Sequence, residues 1–120
     1  AVENDIPVAS QVNADGNAVA PTIESVSAAP AAIVDELPDD LRFDILNVGG
    51  DAFPIVGTNW VLAWECGYDE NTAEILKDYW TWATQSDEAN ALATDLGYAP
   101  LGEGLKPRVQ AAIDRINSAE

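Results

Sequence analysis

The sequence predicts an α/β fold with two or more strands and about four helices, and three observations predict it. Ile6, Val8 and Val12 share one side of an alternating stretch, the period of a half-buried strand. The stretch from Pro54 to Trp64 is apolar on both faces from Trp60 onward, as expected of an interior strand covered on both sides. Beyond residue 70, apolar residues recur at three- and four-residue spacing through three successive stretches, the pattern of amphipathic helices. A chain of 120 residues makes one domain at most, or a piece of a larger one. With 48% apolar residues and four Trp it has the material for a packed core rather than for disorder.

In chain order, Pro7 argues that the first strand lies at an edge or that Pro7 marks its entry, because it lacks the N–H a central ladder needs. Asp15-Gly16 marks a turn, and Thr22 after Pro21 is placed to cap a helix. That helix carries Ile23, Val26, Ile33 and Val34 at helical spacing, and Pro30 should kink or end it. Residues 35–40 form an acidic, Pro-containing break. Arg42 to Val48 can be a short strand through Phe43 and Ile45, and Gly49-Gly50-Asp51 reads as a flexible joint. Asn71-Thr72-Ala73-Glu74 has the form of a capping box with Asn71 as cap. Behind it lie two neighbouring stripes, Ile75/Tyr79/Trp82 and Leu76/Trp80/Ala83, which make a broad apolar face. Ser86 can cap the next helix, predicted to bury Ala89, Leu92, Ala93 and Leu96 and to stop at Gly97. The last helix, starting between Glu103 and Pro107, should bury Leu105, Val109, Ala112, Ile113 and Ile116.

Charge and composition exclude several chemistries. Twenty-one acids oppose five bases, for a net charge of −16, and no Lys or Arg precedes Arg42. Such a surface repels nucleic acid and anionic membrane, so neither is expected as a partner. With no His, the commonest general base and metal ligand are missing. The single Cys66, between Trp64 and Tyr68, reads as a buried structural thiol and permits no intrachain disulfide. The adjacent carboxylates Asp35/Glu36, Asp39/Asp40, Asp69/Glu70 and Asp87/Glu88 lie at turns or helix starts, where the helix dipole favours acids, and do not suggest a catalytic pair. Asn13-Ala14-Asp15-Gly16-Asn17 has a faint calcium-loop look, but Gln11 and Thr22 stand where the key acids would be needed. Trp60, Trp64, Tyr79, Trp80 and Trp82 could be imagined as a sugar platform, and their spacing reads instead as core. No catalytic residue, cofactor or metal is expected, and the chain is not read as an enzyme. The start has neither an initiator Met nor a basic region followed by an apolar one, so the chain reads as mature, processed or excised.

Three stretches resemble the phosphate-binding subunit of ABC-type phosphate importers. The run Asn13 to Ser25, NADGNAVAPTIES, resembles that family's strand, "ADG" turn and helix opening. Phe53 to Leu62, FPIVGTNWVL, is similar to its aromatic-Pro-Ile passage into an apolar strand, and Ala93 to Leu101, ATDLGYAPL, to its closing segment. The resemblance implies the C-terminal third of a type II periplasmic-binding-protein fold, two lobes joined by crossovers. It implies residues 1–50 as a piece of the second lobe, 51–57 as a crossover, and 58–120 as a return to the first lobe.

By the same resemblance the function is extracytoplasmic solute binding for inorganic phosphate import, in a periplasmic or cell-surface protein. The partners implied are inorganic phosphate, the importer's membrane subunits, and either a separate N-terminal chain or a second copy. In the family, phosphate is held by backbone N–H groups at helix N-termini, hydroxyls, an Arg and an Asp. Those segments lie upstream of the stretch matched here, so no phosphate-binding residue is expected in this chain; Arg42 is outside the matching context. Gly57, Thr58 and Asn59 fall at the inter-lobe crossing and are candidate hinge residues. The alternative is an acidic surface module, derived from the same fold, that serves a structural or interaction role.

Overall fold

A computed structural model describes residues 6–119 of the chain; the outermost residues of the two predicted lobe pieces, 1–5 and 120, lie outside that range. The order is β1 (Gln11–Val12), β2 (Ala18–Val19), α1 (Ile23–Ala32), a 3-10 turn (Val34–Glu36), α2 (Glu70–Gln85), α3 (Asp87–Asp95) and α4 (Lys106–Asp114). Mixed α/β content agrees with the sequence reading, but the strands are far shorter than expected.

The predicted Ile6–Val12 strand contracts to Gln11–Val12, paired antiparallel with β2 in the register Gln11↔Val19 and Val12↔Ala18. Ile6, Val8 and Val12 are exposed rather than half-buried. A strand extends only as far as a partner supplies donors and acceptors, and β2 ends after two residues. Arg42 to Val48 is likewise not a strand. Leu41 and Asn47 take left-handed backbone, with φ of 55° and 54°. Asp40 and Asp44 accept hydrogen bonds from the N–H groups of Arg42 (3.1 Å) and Leu46 (2.8 Å). These local turns compete with a ladder for the same backbone groups.

The helices follow their capping chemistry. Thr22 Oγ1 accepts from Ser25 N–H, and Ser25 Oγ accepts from Thr22 N–H at 2.9 Å, closing a capping box on α1. Pro30 sits in the last turn of α1, which ends two residues later with Ile33 N–H donating to the Pro30 carbonyl. For α2 the cap is Asp69 rather than Asn71, so the helix starts earlier than predicted. The Asp69 carboxylate accepts from both the backbone N–H (3.0 Å) and the hydroxyl (2.6 Å) of Thr72. Ser86 caps α3 as expected. That helix closes with Tyr98 N–H donating to Ala93 C=O and Gly97 N–H to Thr94 C=O, both at 2.9 Å, with Gly97 at φ +78°.

The core is thin. Ala29, Ile45, Ala52 and Val56 form its centre, with Val26, Ile33, Phe43 and Phe53 packed around them. On the helical side α2 packs against both α3 and α4, burying Ala73, Ile113 and Ile116. Among the described residues no side chain larger than alanine is completely sealed from solvent. The Leu76/Trp80/Ala83 stripe of α2 is half-buried, whereas Ile75, Tyr79 and Trp82 face solvent; so do Leu92 and Leu96 of α3. The aromatic set expected in the core is therefore mostly surface. Cys66 is exposed as well, not a buried thiol.

The largest departure is at Pro54 to Trp64. Pro54 and Val56 are buried, but no strand forms, and the Trp60 to Trp64 stretch is exposed, with Leu62 at 95% and Trp64 at 79%. An apolar segment with strand-like composition remains solvated when no neighbouring strand lies alongside it. The molecule as a whole is correspondingly extended, 50 × 32 × 18 Å with a radius of gyration of 16.5 Å. A compact domain of this length has about 13.6 Å. Its accessible surface is 8084 Å², against about 6,200 Å² for a compact monomer of this mass.

Candidate functional site

The best-organised polar constellation lies where the β1–β2 loop meets the Gly49–Ala52 turn. Asn13 is 4% exposed and uses both ends of its amide. Its Nδ2 donates to the carbonyls of Gly50 (2.7 Å) and Ala52 (3.2 Å), and its Oδ1 accepts from the N–H groups of Asp15 (3.1 Å) and Asn17 (3.2 Å). Asn17 Nδ2 adds a second bond to the Gly50 carbonyl, and Asp15 Oδ2 accepts from Gly50 N–H at 2.7 Å. Gly50 and Gly16 both need positive φ, which glycine adopts without a Cβ clash. A Cβ on Gly49 would run into the Asp15 carboxylate. Gly49-Gly50-Asp51, expected to be a flexible joint, is thus a pinned turn. The loop with the faint calcium-loop look spends its polar atoms on this clasp, and among the described residues no cluster of three or more His, Cys, Asp or Glu could hold a metal ion.

The clasp fixes the start of the predicted crossover. Phe53 N–H donates to the Ser25 carbonyl (3.0 Å), and Asn47 N–H donates to the Pro54 carbonyl (2.8 Å). Ala52, Pro54 and Val56 are buried. Anchoring ends there. Among the described residues no backbone hydrogen-bond partner is found for Ile55 to Ala63. Gly57 is exposed and a Cβ added there would meet open space, Thr58 is half-buried, and Asn59 is exposed. Gly57 and Thr58 border a shallow dimple of about 70 Å³ shared with Val26, Phe43, Ile45 and Leu105; Asn59 does not. Ser27 and Thr58 bring its side-chain hydroxyls, and no cation lines it.

Beyond Asn59 the chain is fastened again. Trp60 Nε1 donates to the Leu41 carbonyl at 2.8 Å and its ring packs on Phe43 at 5.4 Å. Trp64 N–H donates to Tyr68 Oη at 2.9 Å. The Glu65 carbonyl accepts from Asn117 N–H, and its carboxylate pairs with Arg115 at 2.7 Å. Arg108, in the first turn of α4, donates to the Leu37 carbonyl at 2.8 Å, tying the acidic break to the C-terminal helix.

Electrostatics at the helix N-termini bear on anion binding, because exposed N–H groups there are ready anion sites. In α1, α2 and α3 the first turn already holds the chain's own acids: Glu24, Glu70, and Asp87 with Glu88. Backbone N–H and the Thr22 side chain hold the Glu24 carboxyl below the usual carboxylate range. Bonds from Thr72 lower that of Asp69 in the same way. The first turn of α4 has no acid, but Pro107 brings no N–H, Lys106 is paired with Glu103 at 2.7 Å, and Arg108 is committed to Leu37. Arg42, exposed, pairs with Asp40 at 2.6 Å, which lowers that carboxyl and raises the guanidinium. The Asn13 clasp was missed from sequence. Its signal was present in Asn13, Asp15 and Asn17, three polar side chains within the short loop joining β1 to β2.

No protein-family model matches this chain. It is similar to Phosphate-binding protein PstS of Methanocaldococcus jannaschii, 33% identical over 115 residues covering 86% of this chain. It spans less than a third, 29%, of that protein's length. The likeness supports a relationship between this chain and part of that protein. No helix among the described residues is long and apolar enough to cross a membrane.

Proposed function

We propose that this chain is a scaffold segment, without the ligand residues, of an extracytoplasmic protein that captures inorganic phosphate for an ABC-type importer. The observation that carries the reading is the likeness to PstS along most of this chain but along only 29% of that protein. Two features support it. The surface exceeds that of a compact monomer by about 1,800 Å², as expected when part of the fold lies elsewhere. The cations described above and the N-termini of α1, α2 and α3 are engaged with the chain's own groups, so the phosphate donors would come from upstream residues.

In this reading residues 1–50 and 58–120 belong to different lobes, and 51–57 connect them. Gly57, Thr58 and Asn59 are the hinge, since the anchored half of the connection ends at Val56. The importer's membrane subunits are the partners of the whole protein. Titration calorimetry with inorganic phosphate tests the proposal. The 120-residue chain should give no binding heat, and a longer polypeptide that includes the upstream residues should bind in the micromolar range. Micromolar binding by the 120-residue chain would overturn the scaffold role, and no binding by the longer polypeptide would overturn the phosphate reading. The second reading, an interaction module built from the same fold segment, is favoured by one observation, the exposed and uncharged stretch ending at Trp64.

A further inference from the structure

Asp15-Gly16 is the single Asp-Gly step of the chain, and no Asn-Gly step occurs. In an unfolded polypeptide such a step is chemically labile. The glycine nitrogen, with no side chain beside it to hinder approach, attacks the aspartyl Cγ. A C–N bond forms, the carboxyl group loses one oxygen as water, and the ring closes to a succinimide. Water then reopens the ring at either carbonyl. Opening at the backbone carbonyl leaves the chain running through the former side chain, as isoaspartate. One water leaves and one returns, so the net change is an isomerisation that needs no oxidant or cofactor.

In the folded chain both reacting groups are already engaged. Gly16 N–H donates to the Asn13 carbonyl at 3.0 Å, and Asp15 Oδ2 accepts from Gly50 N–H at 2.7 Å. Asn13 Oδ1 grips the step from both sides, accepting from Asp15 N–H and from Asn17 N–H. Asn13 N–H closes the loop on the Asn17 carbonyl at 3.0 Å. Gly49 lies so close behind the Asp15 carboxylate that a Cβ there would not fit. Asp15 and Gly16 are nevertheless exposed, so water is at hand whenever these bonds open.

We propose that Asp15-Gly16 is a latent site of succinimide formation and isoaspartate modification, held off by the Asn13 clasp and released by local opening of the loop rather than by unfolding of the whole chain.

The modification undoes the clasp that delayed it. Isoaspartate lengthens the main chain by one carbon ahead of Gly16 and draws the free carboxylate one carbon closer to the backbone. The acceptor for Gly50 N–H and the placement of Gly16 N–H are then lost together, and the Gly49–Ala52 turn is unpinned. Modified chains return only through the ring, so they accumulate with time. This inference concerns the clasp and stands apart from phosphate binding.

The test is to age the chain in heavy-oxygen water at neutral pH. It is then cut with a protease that cleaves before aspartate but not before isoaspartate, and the fragments are weighed by mass spectrometry. Loss of cleavage at position 15 together with uptake of heavy oxygen reports the reaction. A synthetic peptide of residues 11–20 should isomerise at least about tenfold faster than the folded chain, since two bonds must open in the chain before the ring can close. Asn13→Ala should speed the reaction in the chain at least about tenfold, and Gly49→Ala, which displaces the carboxylate, should speed it too. Ile113→Ala removes a buried side chain far from the loop in sequence, at a stability cost similar to that of Asn13→Ala. It should leave the rate within about twofold, because local opening does not depend on the helical packing. The purified isoaspartyl form should exchange Gly50 N–H with deuterium at least about tenfold faster than the unmodified chain. The proposal is overturned if the folded chain ages as fast as the peptide, or if neither Asn13→Ala nor Gly49→Ala accelerates it. Equal acceleration by Ile113→Ala and Asn13→Ala would overturn the local-opening route, and unchanged Gly50 exchange would overturn the link between modification and the turn.

Discussion

Replacing Asn13 by Ala should destabilise the chain far more than any other substitution in the β1–β2 loop. Asn13 makes four hydrogen bonds from a nearly sealed position. In the variant the Gly50 carbonyl keeps its bond from Asn17, and the N–H groups of Asp15 and Asn17 lie at a surface turn where water can replace the amide oxygen. The bond from Asn13 to the Ala52 carbonyl is buried, so that carbonyl loses its donor without gaining water. An orphaned buried group costs about 1–3 kcal/mol, and each rehydrated bond about 0.5–1 kcal/mol, so the total should be about 3 kcal/mol. That is a large share of the 5–15 kcal/mol typical of a domain. Urea unfolding followed by Trp fluorescence would read it as a midpoint lowered by roughly 1–2 M at constant slope. Asn17→Ala is the control, since it removes one exposed bond and should cost about 0.5–1 kcal/mol. If the two variants unfold at the same urea concentration, the Asn13 clasp does not hold the turn.

Two further outcomes follow from the same region and from the caps. Gly49→Ala should displace the Asp15 carboxylate from Gly50 N–H and cost about 1–3 kcal/mol; urea unfolding with no midpoint shift would show that the contact relaxes freely. Asp69 is held below the usual carboxylate range by the Thr72 hydroxyl and N–H. Its contribution is therefore present above the unfolded value near 3.9 and lost as pH falls through the lower folded value. Asp69→Asn keeps a capping oxygen without the titration, so the acid limb of the stability–pH curve should flatten below about pH 4; parallel curves for the two proteins would contradict this.

What the sequence determined by itself was local. Thr22, Ser86 and Gly97 mark helix ends because capping bonds reach only a few residues, and α1 and α3 lie close to where those signals put them. The three stretches NADGNAVAPTIES, FPIVGTNWVL and ATDLGYAPL likewise carried the phosphate-protein resemblance that the comparison with PstS supports. Even locally, Asn71 lost the cap of α2 to Asp69, since both could serve and only the carboxylate reaches Thr72 twice.

The tertiary structure alone decided which apolar faces are covered. Periodicity shows that Ile75, Tyr79 and Trp82 form a stripe, but burial needs a second element on that side, and α3 and α4 leave it to solvent. For the same reason, alternation and apolar content could nominate Pro54 to Trp64 as a strand without supplying its neighbour. A helix closes its hydrogen bonds within its own segment, whereas a strand closes them only against another strand. The helices of this chain could therefore be read from its residues, and the solvated course of Pro54 to Trp64 could not.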